Sequence, residues 1–200
     1  MLCCYGVLSL WRLLYTHLYC SICLYRMYLA GTFKTYGEDY FSSEEFLTVV
    51  AETAALFNAA GRIFWGFMAD KYSTIGTLIW CTVVFAGVII TFSNLGVSLG
   101  EPGFALWSYA LFFCEGGYFA LYMPLTVQIF GVQYSSSNYG LVFSVYTCFV
   151  VLNIIVLTQS LDISFATATL IIGILTAVGC ANLIALRMHM KIFKDSQSRS

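Results

Sequence analysis

Residues 116–161 read GGYFALYMPLTVQIFGVQYSSSNYGLVFSVYTCFVVLNIIVLTQSL and contain no Asp, Glu, Lys or Arg. About 20 apolar residues cross a bilayer as one helix, so this stretch has the length of two spans, divided by the turn residues from Gly131 to Ser137. Helices are required there because lipid offers the backbone no hydrogen-bond partner, and the alternation of a barrel strand is absent.

Outward from this stretch, charges, Gly, Pro and Asn collect between further apolar runs. They predict spans at about residues 6–33, 45–67, 74–93, 104–126, 138–158 and 163–187, followed by a polar tail over 191–200. The expectation is an all-α integral membrane protein, a bundle of six transmembrane helices. Composition agrees: 60% of residues are hydrophobic and 10% charged, against about 45 to 50% and about 25% in soluble domains. Mean hydropathy is +0.83. The first span is atypical, since Arg12, His17 and Arg26 interrupt it and must snorkel or face partners. No small-residue cleavage site closes a short apolar core, so it reads as a retained helix rather than a signal peptide.

Net charge is −1, which supplies no basic field for nucleic acid. The eight cysteines lie mostly inside apolar segments and read as small buried hydrophobes. Cys20 and Cys23 match CxxC only formally, and Cys3 and Cys4 stand near a membrane end where palmitoylation is an alternative to plain burial. His17 and His189 lie at opposite ends of the chain, so neither a metal site nor the clustered groups of an enzyme are expected, and no cofactor is called for. Arg187, Lys191, Lys194 and Arg199 follow the last span, and Lys71 lies between the second and third spans. With an even number of spans, both termini are then expected on the cytoplasmic face.

The most informative motif runs from Asn58 to Lys71, NAAGRIFWGFMADK. It resembles the G-x-x-x-D-[RK] signature of major facilitator transporters, here Gly66, Asp70 and Lys71. Small residues at Gly61 and Gly66 would let a neighbouring helix approach closely. Asp70 and Lys71 would act as a latch that breaks and re-forms as the transporter changes facing. Ser73 and Thr74 stand where the family continues with Gly and a basic residue, which implies a weaker latch. A generic packing face followed by a solvated turn is the alternative.

Further pieces narrow the resemblance. Glu115 to Ala120 with Pro124, then Phe130-Gly131, then Asn138-Tyr139-Gly140, together with the motif above, are similar to the oxalate/formate antiporter group and its monocarboxylate-transporter relatives. The similarity runs from about residue 34 to 140. It implies that Arg62 binds a substrate carboxylate, whereas snorkelling or pairing with Asp70 is the alternative role. The group's second substrate-binding basic residue falls at Ser137, so one charge partner is left, and a monocarboxylate or other small organic anion is expected over oxalate. Tyr118 and Tyr139 are candidates to line the polar path, though aromatic residues also serve core and interface. Glu52 and Glu115 lie within spans, where desolvation favours proton binding. They are candidates for coupling to H+, with structural pairing to Arg62 or helix capping as the alternative.

Major facilitator transporters rock two six-helix bundles about a midplane site. Six spans correspond to one half, the C-terminal one by resemblance. A second six-helix half is therefore an expected partner, as a missing N-terminal half or another chain. The competing expectation is a non-transporting, truncated membrane protein that associates with a full-length transporter.

Overall fold

The computed structural model describes residues 33–133, 135–137, 139–140, 144 and 165–197. The described residues are helical with no strand, and they contain four helices long and apolar enough to cross a membrane. We label these α1 (Glu44–Lys71), α2 (Thr74–Thr91), α3 (Gly100–Phe130) and α4 (Phe165–Gln197). They fall on the second, third, fourth and sixth predicted spans. The first and most of the fifth lie outside the described residues.

Local chemistry sets the helix ends. Ser43 caps α1 by accepting from the Phe46 amide at 3.2 Å, with Glu44 and Glu45 in the first turn and Lys71 in the last. These charges oppose the helix dipole at each end. The sequence reading ends this span at 67, but the helix continues through Asp70 and Lys71, leaving Tyr72 and Ser73 as the connection. Ser73 then caps α2 through the Gly76 amide at 3.1 Å. After α2 the chain passes through a π-helical turn, Phe92–Gly96, and enters α3 at Gly100, which has φ 72°. Only glycine takes that backbone region at low cost. α3 stops at Gly131, φ 76°, whose amide bonds the Val127 carbonyl at 2.9 Å. α4 runs ten residues past Arg187, because no Gly or Pro interrupts Met188 to Gln197.

The cross-helix contacts fix the directions. Thr74 accepts from Gln128 Nε2 at 2.8 Å, and Thr91 Oγ1 accepts from Trp107 Nε1 at 2.8 Å, so α2 and α3 are antiparallel. Phe57 stacks on Tyr109 at 4.7 Å and the Arg62 guanidinium lies 4.8 Å from the Phe119 ring, so α1 and α3 run parallel. A side chain at Gly173 would meet Ile90, and one at Gly76 would meet the Arg187 guanidinium, so α4 runs antiparallel to α2. α3 packs against α1 and α2, and α2 against α4. The end of α1, the start of α2, the end of α3 and the Arg187 region of α4 share one end of the bundle, and that end carries Lys71 and Arg187.

Between the helices lies a core of large side chains, among them Leu47, Phe85, Phe104, Tyr118, Tyr122 and Leu125. At the end away from Lys71, Phe104 gathers Phe33, Phe41, Phe46 and Phe92 within ring-contact distance. Such aromatic pairs contribute about 0.5 to 1.5 kcal/mol each beyond the area they bury.

Candidate functional site

α1 shows two different exposed faces. Val49, Leu56, Ile63 and Phe67 recur at helical spacing on one of them, a surface suited to lipid. Thr48, Glu52, Ala55, Ala59 and Arg62 recur at the same spacing on the other and are also exposed. Small and polar side chains on that second stripe suit a polar cavity rather than hydrocarbon, where an ionised group is costly.

Arg62 lies eighteen residues from the start of α1 and nine from its end. At 1.5 Å per residue the nearer end is about 13 Å away, which places Arg62 within a hydrocarbon core of about 30 Å. Its side chain leans toward α3. Nε donates to Asn58 Oδ1 at 3.2 Å, one turn back on α1, and the guanidinium lies over the Phe119 ring. Asn58 Nδ2 donates in turn to Glu115 Oε2 at 3.2 Å. Glu115 is the central residue of α3, fifteen from either end. The result is a line from carboxylate through amide to guanidinium, crossing from α3 to α1 at mid-span.

Two glycines allow this crossing. A Cβ at Gly116 would overlap the Asn58 carbonyl oxygen, and one at Gly61 would overlap that of Phe113, so the two backbones touch. Gly117 receives the Trp65 ring and Cys81 Sγ in the same way. At Gly66 a Cβ would meet nothing within 4 Å among the described residues, so of the two glycines expected to admit a neighbouring helix Gly61 does so, against the Gly116 and Gly117 level of α3, and Gly66 does not.

The other expected site residues are dispersed. Tyr118 is fully buried, edge-on to Phe85 of α2 and stacked on Tyr122, so it faces the α2 side of α3. Tyr139 is half-buried and packs on the main core, while Ser137 is exposed. Glu52 is exposed on α1, ten residues and about 15 Å along the helix from Arg62, so the two do not pair. Asp70 and Lys71 are exposed in the last turn of α1, with Lys71 Nζ 5.6 Å from the Tyr72 ring centroid. Among the described residues Asp70 forms no ion pair. Ser73 and Thr74, which depart from the family pattern, hold the start of α2 as its cap and as the acceptor for Gln128.

Asn58 and Phe119 contact Arg62, contacts that the sequence alone does not assign them. The signal for Asn58 was its spacing of four from Arg62, which puts both on one face of a helix. Nothing comparable pointed to Phe119.

No protein-family model matches the chain. It is 33% identical to the oxalate:formate antiporter of Oxalobacter formigenes over 105 residues, which are 52% of this chain and 25% of that protein. It is 29% identical to the apicoplast pyruvate carrier 1 of Toxoplasma gondii over 104 residues, 52% of this chain and 19% of that one. The matched stretch is thus about a quarter and about a fifth of the two relatives. Both point to a transporter family. The chain is a multi-pass membrane protein, and its relatives are named for transport rather than for an enzymatic reaction, in keeping with the expectation from its histidine and carboxylate pattern.

Proposed function

We propose that this chain is part of a transporter that carries a small organic anion, preferentially a monocarboxylate, across a membrane by alternating access. In this reading its helices belong to the C-terminal six-helix half of a major facilitator fold, with a second half as partner and both termini cytoplasmic. The observation that carries the proposal is Arg62, held at mid-span by Asn58 and Phe119 on the small and polar stripe of α1. A guanidinium at this depth of a span, with both Nη groups unbonded among the described residues, is expensive in hydrocarbon unless it faces a polar cavity that an anion visits. The two relatives, one named for oxalate and formate and one for pyruvate, support the substrate class. The exposed Ser137, in place of a second basic residue, supports one carboxylate over two. Glu115, joined to Arg62 through Asn58, and Glu52 on the same stripe are the groups through which H+ would couple.

The test is uptake of labelled pyruvate into proteoliposomes containing the purified chain, with and without an imposed pH gradient, beside Arg62→Ala. Saturable uptake lost in the variant supports the proposal. Absence of uptake from inserted protein refutes transport by this chain alone and favours a non-transporting membrane protein that associates with a full-length transporter. Co-purification with such a transporter would then separate that role from a half awaiting its partner.

A further inference from the structure

Three side chains from two helices form the mid-span line, and the middle one is an amide. An amide both accepts through its carbonyl and donates through its NH2 group, so it can stand between a guanidinium and a carboxylate while bonding to both. The two hydrogen bonds at 3.2 Å assign the direction: Asn58 Oδ1 faces Arg62 and Nδ2 faces Glu115. A carboxylate meets a guanidinium in parallel pairs of N–H···O bonds, side-on through Nε and one Nη or end-on through both Nη groups. Asn58 occupies Nε, and Phe119 covers one face of the plane. Among the described residues the two Nη groups form no hydrogen bond, and the side chain is exposed.

We propose that Asn58 is a positioning residue that occupies Nε of Arg62 and presents its two Nη groups to a single carboxylate, which docks end-on. This deepens the reading of Arg62 as the anion-binding residue and rests on it. The amide has a second consequence. A carboxylate bonded directly to Arg62 would compete with the ligand for the guanidinium, and Asn58 holds Glu115 one side chain away from that contact. Ligand preference follows from the same geometry: one planar carboxylate on a small body fits the free end of the guanidinium, while the N–H left over on each Nη points away from the other and offers a second carboxylate no paired contact.

The experiment uses the full chain in nanodiscs with 15N-labelled arginine. The Arg62 Nε–H signal is identified by its loss in Arg62→Lys, its exchange with solvent is measured, and pyruvate is titrated in parallel. In Asn58→Leu the exchange should speed up, and pyruvate binding should weaken by about tenfold, the equivalent of one hydrogen bond to a charged group. Asn58→Asp keeps the acceptor and the side-chain size, so exchange should stay slow. Its pyruvate binding should weaken near neutral pH and recover as the pH falls and the new carboxyl takes a proton, a pH response that a merely structural role would not produce. Unchanged exchange in Asn58→Leu overturns the positioning role whatever pyruvate does, and unchanged pyruvate binding in both variants overturns it too. Should Asn58→Leu fail to fold, the pH response of Asn58→Asp decides. If Arg62→Lys binds pyruvate as the native chain does, the reading of Arg62 as the anion site fails, and end-on docking with it. The exchange data still report separately whether Asn58 holds Nε.

Discussion

Replacing Gly116 by Ala adds one methyl group at the point where α1 and α3 touch. The new Cβ would overlap the Asn58 carbonyl oxygen and lie 2.9 Å from the carbonyl carbon and 3.0 Å from the Arg62 nitrogen. Carbon atoms in contact settle at about 3.5 Å or more, so the helices must part by at least about 0.6 Å, and the oxygen overlap asks for more. The bond from Asn58 to Glu115 starts at 3.2 Å. Lengthened by about 0.6 Å, it passes beyond hydrogen-bond range. Overpacking costs about 1 to 3 kcal/mol, and stranding the partly buried amide costs about 1 kcal/mol or more. Against this, Ala is favoured over Gly in a helix by up to about 1 kcal/mol. Gly66→Ala has the same propensity gain with nothing within 4 Å of the new methyl. Heat denaturation followed by tryptophan fluorescence in one detergent should therefore place Gly116→Ala several degrees below the native chain, by about 2 to 4 °C per kcal/mol, with Gly66→Ala at or slightly above it. Gly61→Ala should behave as Gly116→Ala does. If Gly61→Ala and Gly116→Ala melt like Gly66→Ala, the backbone contact between α1 and α3 is refuted.

Glu52→Gln should leave thermal stability within about 0.5 kcal/mol, since Glu52 is exposed and bonds no described residue, so a loss of pH-gradient-driven uptake in that variant would identify Glu52 as the proton carrier. Trp107→Phe should destabilise by about 1 kcal/mol in the same melting assay, because it removes the 2.8 Å bond from Nε1 to Thr91 Oγ1 beside the π-helical turn. Tyr36, in the helical segment 33–38 and outside the four spans, has its phenol pushed up by burial and then by Tyr40. A raised value means that its contribution is intact below the ordinary phenol value of about 10 and lost as pH rises above it. Melting should therefore be indifferent to Tyr36 ionisation between pH 6 and 9, and the alkaline fall in stability should be smaller in Tyr36→Phe.

Much of the helical architecture could be read from the residues, because a lipid-spanning helix must be apolar for its whole length. The polar punctuation near residues 71 to 74 marks the break between α1 and α2, and the charge-free stretch covers the second half of α3, whereas α4 runs ten residues beyond the span expected for it. Site geometry was harder to read. Glu115 and Asn58 are 57 residues apart, and their meeting depends on α1 and α3 lying parallel at one height, which no local pattern encodes. For Tyr118 polar path and core stay open in the sequence, because α3 shows no apolar stripe from which its buried face could be chosen, and the structure puts it in the core. The signature points to Gly61 and Gly66 alike, and only the structure separates them, with Gly61 against the Phe113 carbonyl and Gly66 open among the described residues.

The contacts between α1 and α3 bear on how such a bundle could move. At Gly61 and Gly116 the two backbones touch without side chains between them, and Asn58, Glu115, Arg62 and Phe119 tie the same level together. A packed interface of this kind is bistable rather than gradually deformable, so sliding α1 past α3 would have to break the polar line and ride over the carbonyls at once. In the transporter proposed above, the less costly motion would carry α1 and α3 as one body, keeping Arg62 in a fixed relation to Glu115 while the polar stripe of α1 changed what it faced. A disulfide joining the two helices near this crossing should then leave uptake intact, whereas loss of uptake under oxidation, restored by reductant, would show that transport requires α1 and α3 to separate.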